Sequence, residues 1–167
     1  MKKIGLLSDT HGWFDDRLME FFKDSEELWH AGDIGNAETS DKISGFKNLK
    51  AVYGNIDDQR VRALWPRIQR FKCEEVEVFM THIGGYPGKY EPEIRNLLYT
   101  TPPDLFISGH SHILKIVNDK KLRLLHINPG AAGRNGLHRV RTAVRFIIEG
   151  DRIRDLEVLE IERKGDR

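Results

Sequence analysis

A chain of 167 residues, 39% hydrophobic and 32% charged, is long enough to bury a sizeable core and reads as a single domain spanning 1–167. Its 27 Lys and Arg nearly balance 26 Asp and Glu, which excludes the whole-molecule field of a nucleic-acid or anionic-membrane binder. The single cysteine, Cys73, excludes an internal disulfide, and no apolar run approaches the roughly 20 residues that span a bilayer, so the expected compartment is the cytoplasm.

The first predicted strand, Ile4-Gly5-Leu6-Leu7, ends in Ser8-Asp9-Thr10-His11-Gly12. Side chains at i and i+2 of an extended segment point the same way, so Asp9 and His11 are expected to reach one cation together. Residues 14–23 place Leu18, Phe21 and Phe22 at helical spacing, with Asp15 or Asp16 as the cap. A brief buried strand then ends in Gly32-Asp33, and a polar helix covers 37–45. A third strand at 48–53 ends in Gly54-Asn55, and 56–66 reads as helix or loop. Residues 68–72 and 76–82 alternate with period two, the second run ending in Thr81-His82.

The Gly- and Pro-rich stretch 84–89 is an expected loop, and 92–99 an expected helix with Pro92 in its first turn. A short strand at 104–108 delivers Gly109-His110-Ser111-His112. Four further strands, 113–117, 122–127, 140–148 and 152–161, read as antiparallel. The order βαβαβ followed by mostly β predicts an α/β sandwich of two mixed β-sheets flanked by helices in four layers.

Five apolar strands thus end in potential metal ligands: Asp9 with His11, Asp33, Asn55, His82, and His110 with His112. Ligands bind outside the carboxyl ends of strands in open α/β sheets, and parallel strands put those ends on one edge, so the seven side chains are expected to converge. Gly32, Gly54 and Gly109 precede ligands where a missing Cβ allows close backbone approach. Imidazoles, carboxylates and one amide, with no thiolate, suit borderline divalent ions such as Mn, Fe, Zn or Ni. Seven ligands exceed one tetrahedral ion and suit two ions about 3.5–4 Å apart that share a carboxylate.

Asp9-Thr10-His11, Gly32-Asp33, Gly54-Asn55, Thr81-His82 and Gly109-His110-Ser111-His112 resemble, in that order, the motifs of the calcineurin-like metallophosphoesterases, in their small prokaryotic phosphodiesterase branch. Asn128-Pro129-Gly130 before a terminal hairpin is similar to that branch too. The resemblance implies two divalent transition-metal ions, manganese first, with Fe, Ni or Zn as alternatives. Asp9, His11, Asp33 and His112 would hold one ion; Asp33, Asn55, His82 and His110 the other, with Asp33 bridging. It implies in-line attack on a small phosphate ester by a metal-bridging hydroxide, carried by Asp33, Asn55 and His110. Many relatives have His directly after Gly-Asn, where it protonates the leaving oxygen; here the residue is Ile56, with Asp57 and Asp58 as candidate substitutes.

Three other functions compete. A phospho-aspartate phosphatase needs a second Asp where His11 stands. A retromer scaffold subunit of the same fold works through protein contacts with altered ligands, whereas all seven stand here. A nuclease would add DNA-binding elements for which this chain has no room.

Outside the strand-end pattern, His30, His126 and His138 read as packed or supporting groups, although His126 could approach the site through the Asn128 turn. Arg139, Arg141 and Arg145 alternate with apolar residues, as on a solvated strand face. Arg134 is a candidate phosphate clamp. Tyr86, Lys89 and Tyr90 line either a substrate pocket or a subunit interface, and Trp13 lines a pocket or packs in the core. The long terminal strands leave room for a homodimer or higher homo-oligomer.

Overall fold

The computed structural model describes residues 1–164 and opens with three β-α units in succession. These are β1 (Lys2–Leu7), α1 (Asp16–Phe21), β2 (Glu27–His30), α2 (Ala37–Phe46), β3 (Asn48–Ala51) and α3 (Gln59–Leu64). Each helix starts at a side-chain cap: Asp15 accepts from Leu18 N, Asn36 from Thr39 N and Asp58 from Val61 N. The ambiguous 56–66 stretch is therefore a short capped helix, and Asp15 rather than Asp16 is the first cap.

Next come β4 (Ile68–Cys73), β5 (Val76–Thr81), β6 (Gly85–Tyr86), β7 (Lys89–Tyr90), α4 (Pro92–Thr100) and β8 (Leu105–Ile107). The chain finishes with β9 (Leu114–Asp119), β10 (Leu124–Pro129), β11 (Val140–Glu149) and β12 (Arg152–Glu162). The expected 84–89 loop thus contains a tiny hairpin, β6 against β7, turned by Pro87-Gly88 with Gly88 at φ 88°.

One sheet has the order β12-β11-β1-β2-β3 and the other β4-β5-β8-β10-β9. β1, β2 and β3 run parallel in the first, and β5, β8 and β10 run parallel in the second. Alternation along β1 sets the layers. Ile4 and Leu6 face the second sheet and pack with Val78, Met80, Leu105, Ile107 and Ile127. Leu7 belongs to the opposite face, where Phe14, Leu18, Phe22, Ile43 and Val61 cover the sheet with α1, α2 and α3. Helix α4 covers the second sheet through Ile94 and Leu98 against Phe79 and Phe106. At about 1.5–3 kcal/mol per buried large apolar side chain, the seam between the sheets is a rigid platform for the loops at its edge.

Two expectations change here. The ligand-bearing strand ends lie not on one sheet edge but on two, because β1–β3 and β5/β8 belong to facing sheets. The basic row is a wet face at Arg139, which is exposed, but not at Arg141. Arg141 is buried, donating to Ala132 O (2.7 Å) and Asp15 (2.8 Å), since α1 and the 131–132 backbone cover that side of β11. Arg145 lies over the Phe21 ring and pairs with Glu157. No helix among the described residues is long and apolar enough to cross a membrane.

Candidate metal centre

The backbone leaves strand geometry at each ligand loop. Asp9, His11, Asp33, His110 and His112 all have φ between 46° and 71°. Asp9 and His11 therefore converge through a left-handed turn and not through strand alternation, contrary to the expectation from spacing. Such conformations cost about 1–2 kcal/mol per L-residue and persist only where neighbours over-determine them. Here the loops are laced together: Asp9 N donates to Gly32 O (2.9 Å), His11 N to Asp33 O (3.0 Å) and Gly12 N to Ile34 O (2.8 Å). At the edge of the second sheet, Gly109 N donates to His82 O (2.9 Å), and across the seam His110 N donates to Asp9 Oδ2 (3.1 Å).

Two groups of donor atoms result, Asp9–His11–His112 and Asp33–His82–His110, each with its atoms within 4.8 Å of one another. They adjoin. Asp33 Oδ2 is 3.1 Å from His82 Nε2 and 3.6 Å from His11 Nε2, so it stands between the groups. Asp9 Oδ1 is 3.2 Å from His112 Nε2 and 3.8 Å from both His11 and His82. Each carboxylate spends one oxygen on the scaffold. Asp9 Oδ2 accepts from Ser8 Oγ (2.7 Å) and His110 N (3.1 Å), and Asp33 Oδ1 accepts from Ile56 N (3.0 Å). The other oxygen faces inward.

Asp9 Oδ1, His11 Nε2 and His82 Nε2 are buried without a hydrogen-bond partner. An unsatisfied buried polar atom costs about 1–3 kcal/mol, and three that converge on one space fit a cation. Burial opposes ionisation of Asp9, but the His11, His112 and His82 imidazoles that face it and the Ser8 hydroxyl bonded to it outweigh burial, and its carboxyl is held far below the ordinary range. His82 is oriented by a strand carbonyl: its Nδ1 donates to Ala31 O (2.8 Å), leaving Nε2 bare. Asn55 is exposed at the rim after Gly54, where an added Cβ would meet Asp33 Oδ1 at 2.0 Å. Gly32, at φ 98°, likewise leaves room for the His82 ring.

The three other histidines are structural parts with defined work. His30 Nδ1 accepts from Gly32 N (3.1 Å), so its Nε2 donates to Thr10 Oγ1 (2.9 Å), which donates to Ile34 O (2.8 Å). This thread ties the first two ligand loops. Burial pushes His30 down to about 3, and His126, stacked on Phe106 and donating to its carbonyl, to about 4. Both are neutral when folded and bind a proton near pH 6.5 when unfolded. The unfolded chain thus holds more protons below that pH, and stability is expected to fall as pH drops from about 6.5 towards 4. Melting curves of metal-free protein check this, and His126→Gln should flatten the dependence.

Asp57 is the residue the motif reading misjudged. It is 2% exposed, and its carboxylate accepts from Ile34 N (3.2 Å), Gly35 N (2.9 Å) and Gly54 N (2.8 Å). It clamps the second ligand loop to the third, and Asp58 is committed to capping α3. Neither is free to serve as the missing acid. Asp57→Ala strands three backbone donors and is expected to destabilise the fold by about 3–5 kcal/mol, measurable by denaturant titration.

Asn128 closes the last ligand turn, its amide donating to Gly109 O (2.9 Å) and Ser111 Oγ (3.0 Å). Arg134 does not join the ligand groups; its guanidinium stacks 4.3 Å from the half-exposed Trp13 ring. A cleft of about 290 Å³ opens beside His110, walled by Ile83, Tyr86, Lys89, Ile113, Lys115 and His126. Tyr86 and Lys89 thus face this cleft, whereas the Tyr90 hydroxyl is tied to Asp119 (2.7 Å) and its ring packs on Phe106.

Two mixed sheets meeting at a doubled nitrogen-and-oxygen ligand set define a metallophosphoesterase-like molecule. Residues 1–151 match the calcineurin-like phosphoesterase superfamily domain, and the chain belongs to that family. It is 30% identical over 137 residues to a probable metallophosphoesterase of Methanothermobacter thermautotrophicus, covering 77% of this chain and 76% of that one. Among solved structures, a novel archaeal phosphodiesterase superposes with TM-score 0.72 at 24% identity, covering 94% of this chain and 99% of that one. Vacuolar protein sorting 29 from Cryptosporidium parvum superposes with TM-score 0.74 at 14% identity, covering 97% and 98%. At such identities these structures share the fold.

Proposed function

We propose that this chain hydrolyses phosphodiesters, with phosphomonoesters as poorer substrates, using two divalent transition-metal ions, manganese foremost and Fe, Ni or Zn as alternatives. The observation that carries the reading is the pair of adjoining ligand groups with Asp33 between them. Bound there, the ions supply a water of lowered pKa and neutralise charge on the phosphoryl oxygens. The chain's own residues do the positioning. Asp9 and Asp33 each present one free oxygen, and His11, His82, His110 and His112 surround them. Asn55, at the rim, offers an amide to the phosphate. The cleft beside His110 receives one alcohol arm, against the Tyr86 ring and the Lys115 ammonium that lies 3.8 Å from its centroid. A monoester has no second arm to place, which favours diesters.

The competing reading is a scaffold, because proteins named for vacuolar sorting share this fold. The decisive experiment supplies metal-stripped protein with Mn, Ni, Zn or Mg and follows bis-p-nitrophenyl phosphate beside p-nitrophenyl phosphate. Metal-restored turnover, faster on the diester, is expected. Folded protein inert with every metal would leave the scaffold standing. A cytoplasmic setting, where Cys73 stays reduced, a small phosphate ester as substrate, and room for a homodimer or higher homo-oligomer complete the proposal.

A further inference from the structure

We infer that His138 is a positioning residue that sets the His112 ring in the tautomer a metal ion requires, and that the 133–139 loop is an outer support for the Asp9–His11–His112 group. The inference rests on the metal reading of the site. His138 Nε2 lies 2.9 Å from Gly133 O. A carbonyl only accepts, so Nε2 carries the proton, and the Nδ1 of the neutral ring is an acceptor. His112 Nδ1 lies 3.2 Å from that atom. One proton must sit between the two nitrogens, and it belongs to His112. The remaining nitrogen of His112, Nε2, then carries a bare lone pair, and it is the atom that faces Asp9 Oδ1 at 3.2 Å.

The same loop touches the group elsewhere. Gly133 N donates to Asp9 O (3.1 Å), and the Asn135 amide lies 3.4 Å from His11 Nδ1. Gly136 sits so close to His112 that an added Cβ would meet its Nδ1 at 2.6 Å. Arg163 holds the loop down, its Nη1 donating to both Gly136 O and His138 O at 2.7 Å. The second group has a different support, since His82 is oriented by the β2-edge carbonyl of Ala31. The two positions therefore have separate supports and should respond separately to mutation.

The test is zinc binding at pH 8, above the ordinary imidazole range, by competition with a chromophoric chelator, together with counted ions per chain. His138→Phe keeps an aromatic ring at the position and removes both hydrogen bonds. It is expected to weaken one of the two ions about 10- to 100-fold and leave the other as in the wild type. His138→Gln, which has a donor and an acceptor on one head, should recover part of the loss. Arg163→Ala, which touches no ligand, should weaken the same ion by a smaller factor. Two ions held by His138→Phe as tightly as by the wild type would overturn the inference, as would equal weakening of both ions. Wild-type protein that binds no zinc would instead overturn the metal reading beneath it.

Discussion

Asp33→Ala is expected to lose at least about 10³-fold in diester hydrolysis, equivalent to about 4 kcal/mol of transition-state stabilisation. The size follows from its place. Asp33 is the carboxylate whose inward oxygen lies within 3.6 Å of histidines from both ligand groups. Its loss should weaken both ions at once, whereas His112→Ala should weaken one. The structural cost is small, because among the described residues the donor stranded is the half-buried N–H of Ile56, worth about 1 kcal/mol. The variant should therefore fold, bind fewer than one tight ion per chain and show no metal-dependent turnover. Saturating manganese should not restore the rate. A folded Asp33→Ala protein with wild-type kcat would remove Asp33 from the reaction.

Much of this architecture was legible because it follows from period and punctuation. Short apolar runs closed by a polar side chain, most of them beside a Gly, are what strands ending at a sheet edge look like. The faces that Ile4, Leu6 and Leu7 take follow from alternation alone. What was not legible lies in the third dimension. Nothing in the spacing of Asp9 and His11 announces a left-handed turn, since residues other than Gly adopt it only when distant backbone groups hold them there. Here Gly32 O, Asp33 O and Ile34 O do so. Asp57 shared the composition of a catalytic acid, and only its three backbone donors reveal a clamp. Arg141 kept the phase of a solvated strand residue, yet the Asp15 cap of α1 comes from 126 positions away to bury it. His30, His126 and His138 read from the sequence as packed or supporting groups, but the work of each was not legible, because a histidine's task is set by what its second nitrogen meets, and that partner is remote in sequence or on a loop.

Ile56→His is expected to raise turnover of diesters with poor leaving groups by about 10- to 100-fold and to change aryl diesters little. Ile56 follows the exposed Asn55, is 45% exposed, and uses its backbone N–H to hold Asp33. A histidine there can keep that bond and add an imidazole at the rim, the position where many members of the family carry one. The wild-type turn offers no such proton. Asp57 is consumed by three backbone donors and Asp58 by the α3 cap, so the leaving oxygen must depart unassisted by this segment. Wild-type rates across a series of diesters should then fall steeply as the leaving-group pKa rises. The variant should show a shallower slope and lose its advantage above about pH 7, where a free imidazole gives up its proton. A wild-type slope already near zero would mean that some other group donates the proton. The cleft residues Lys89 and Lys115 beside His110 would be the first to replace in finding it.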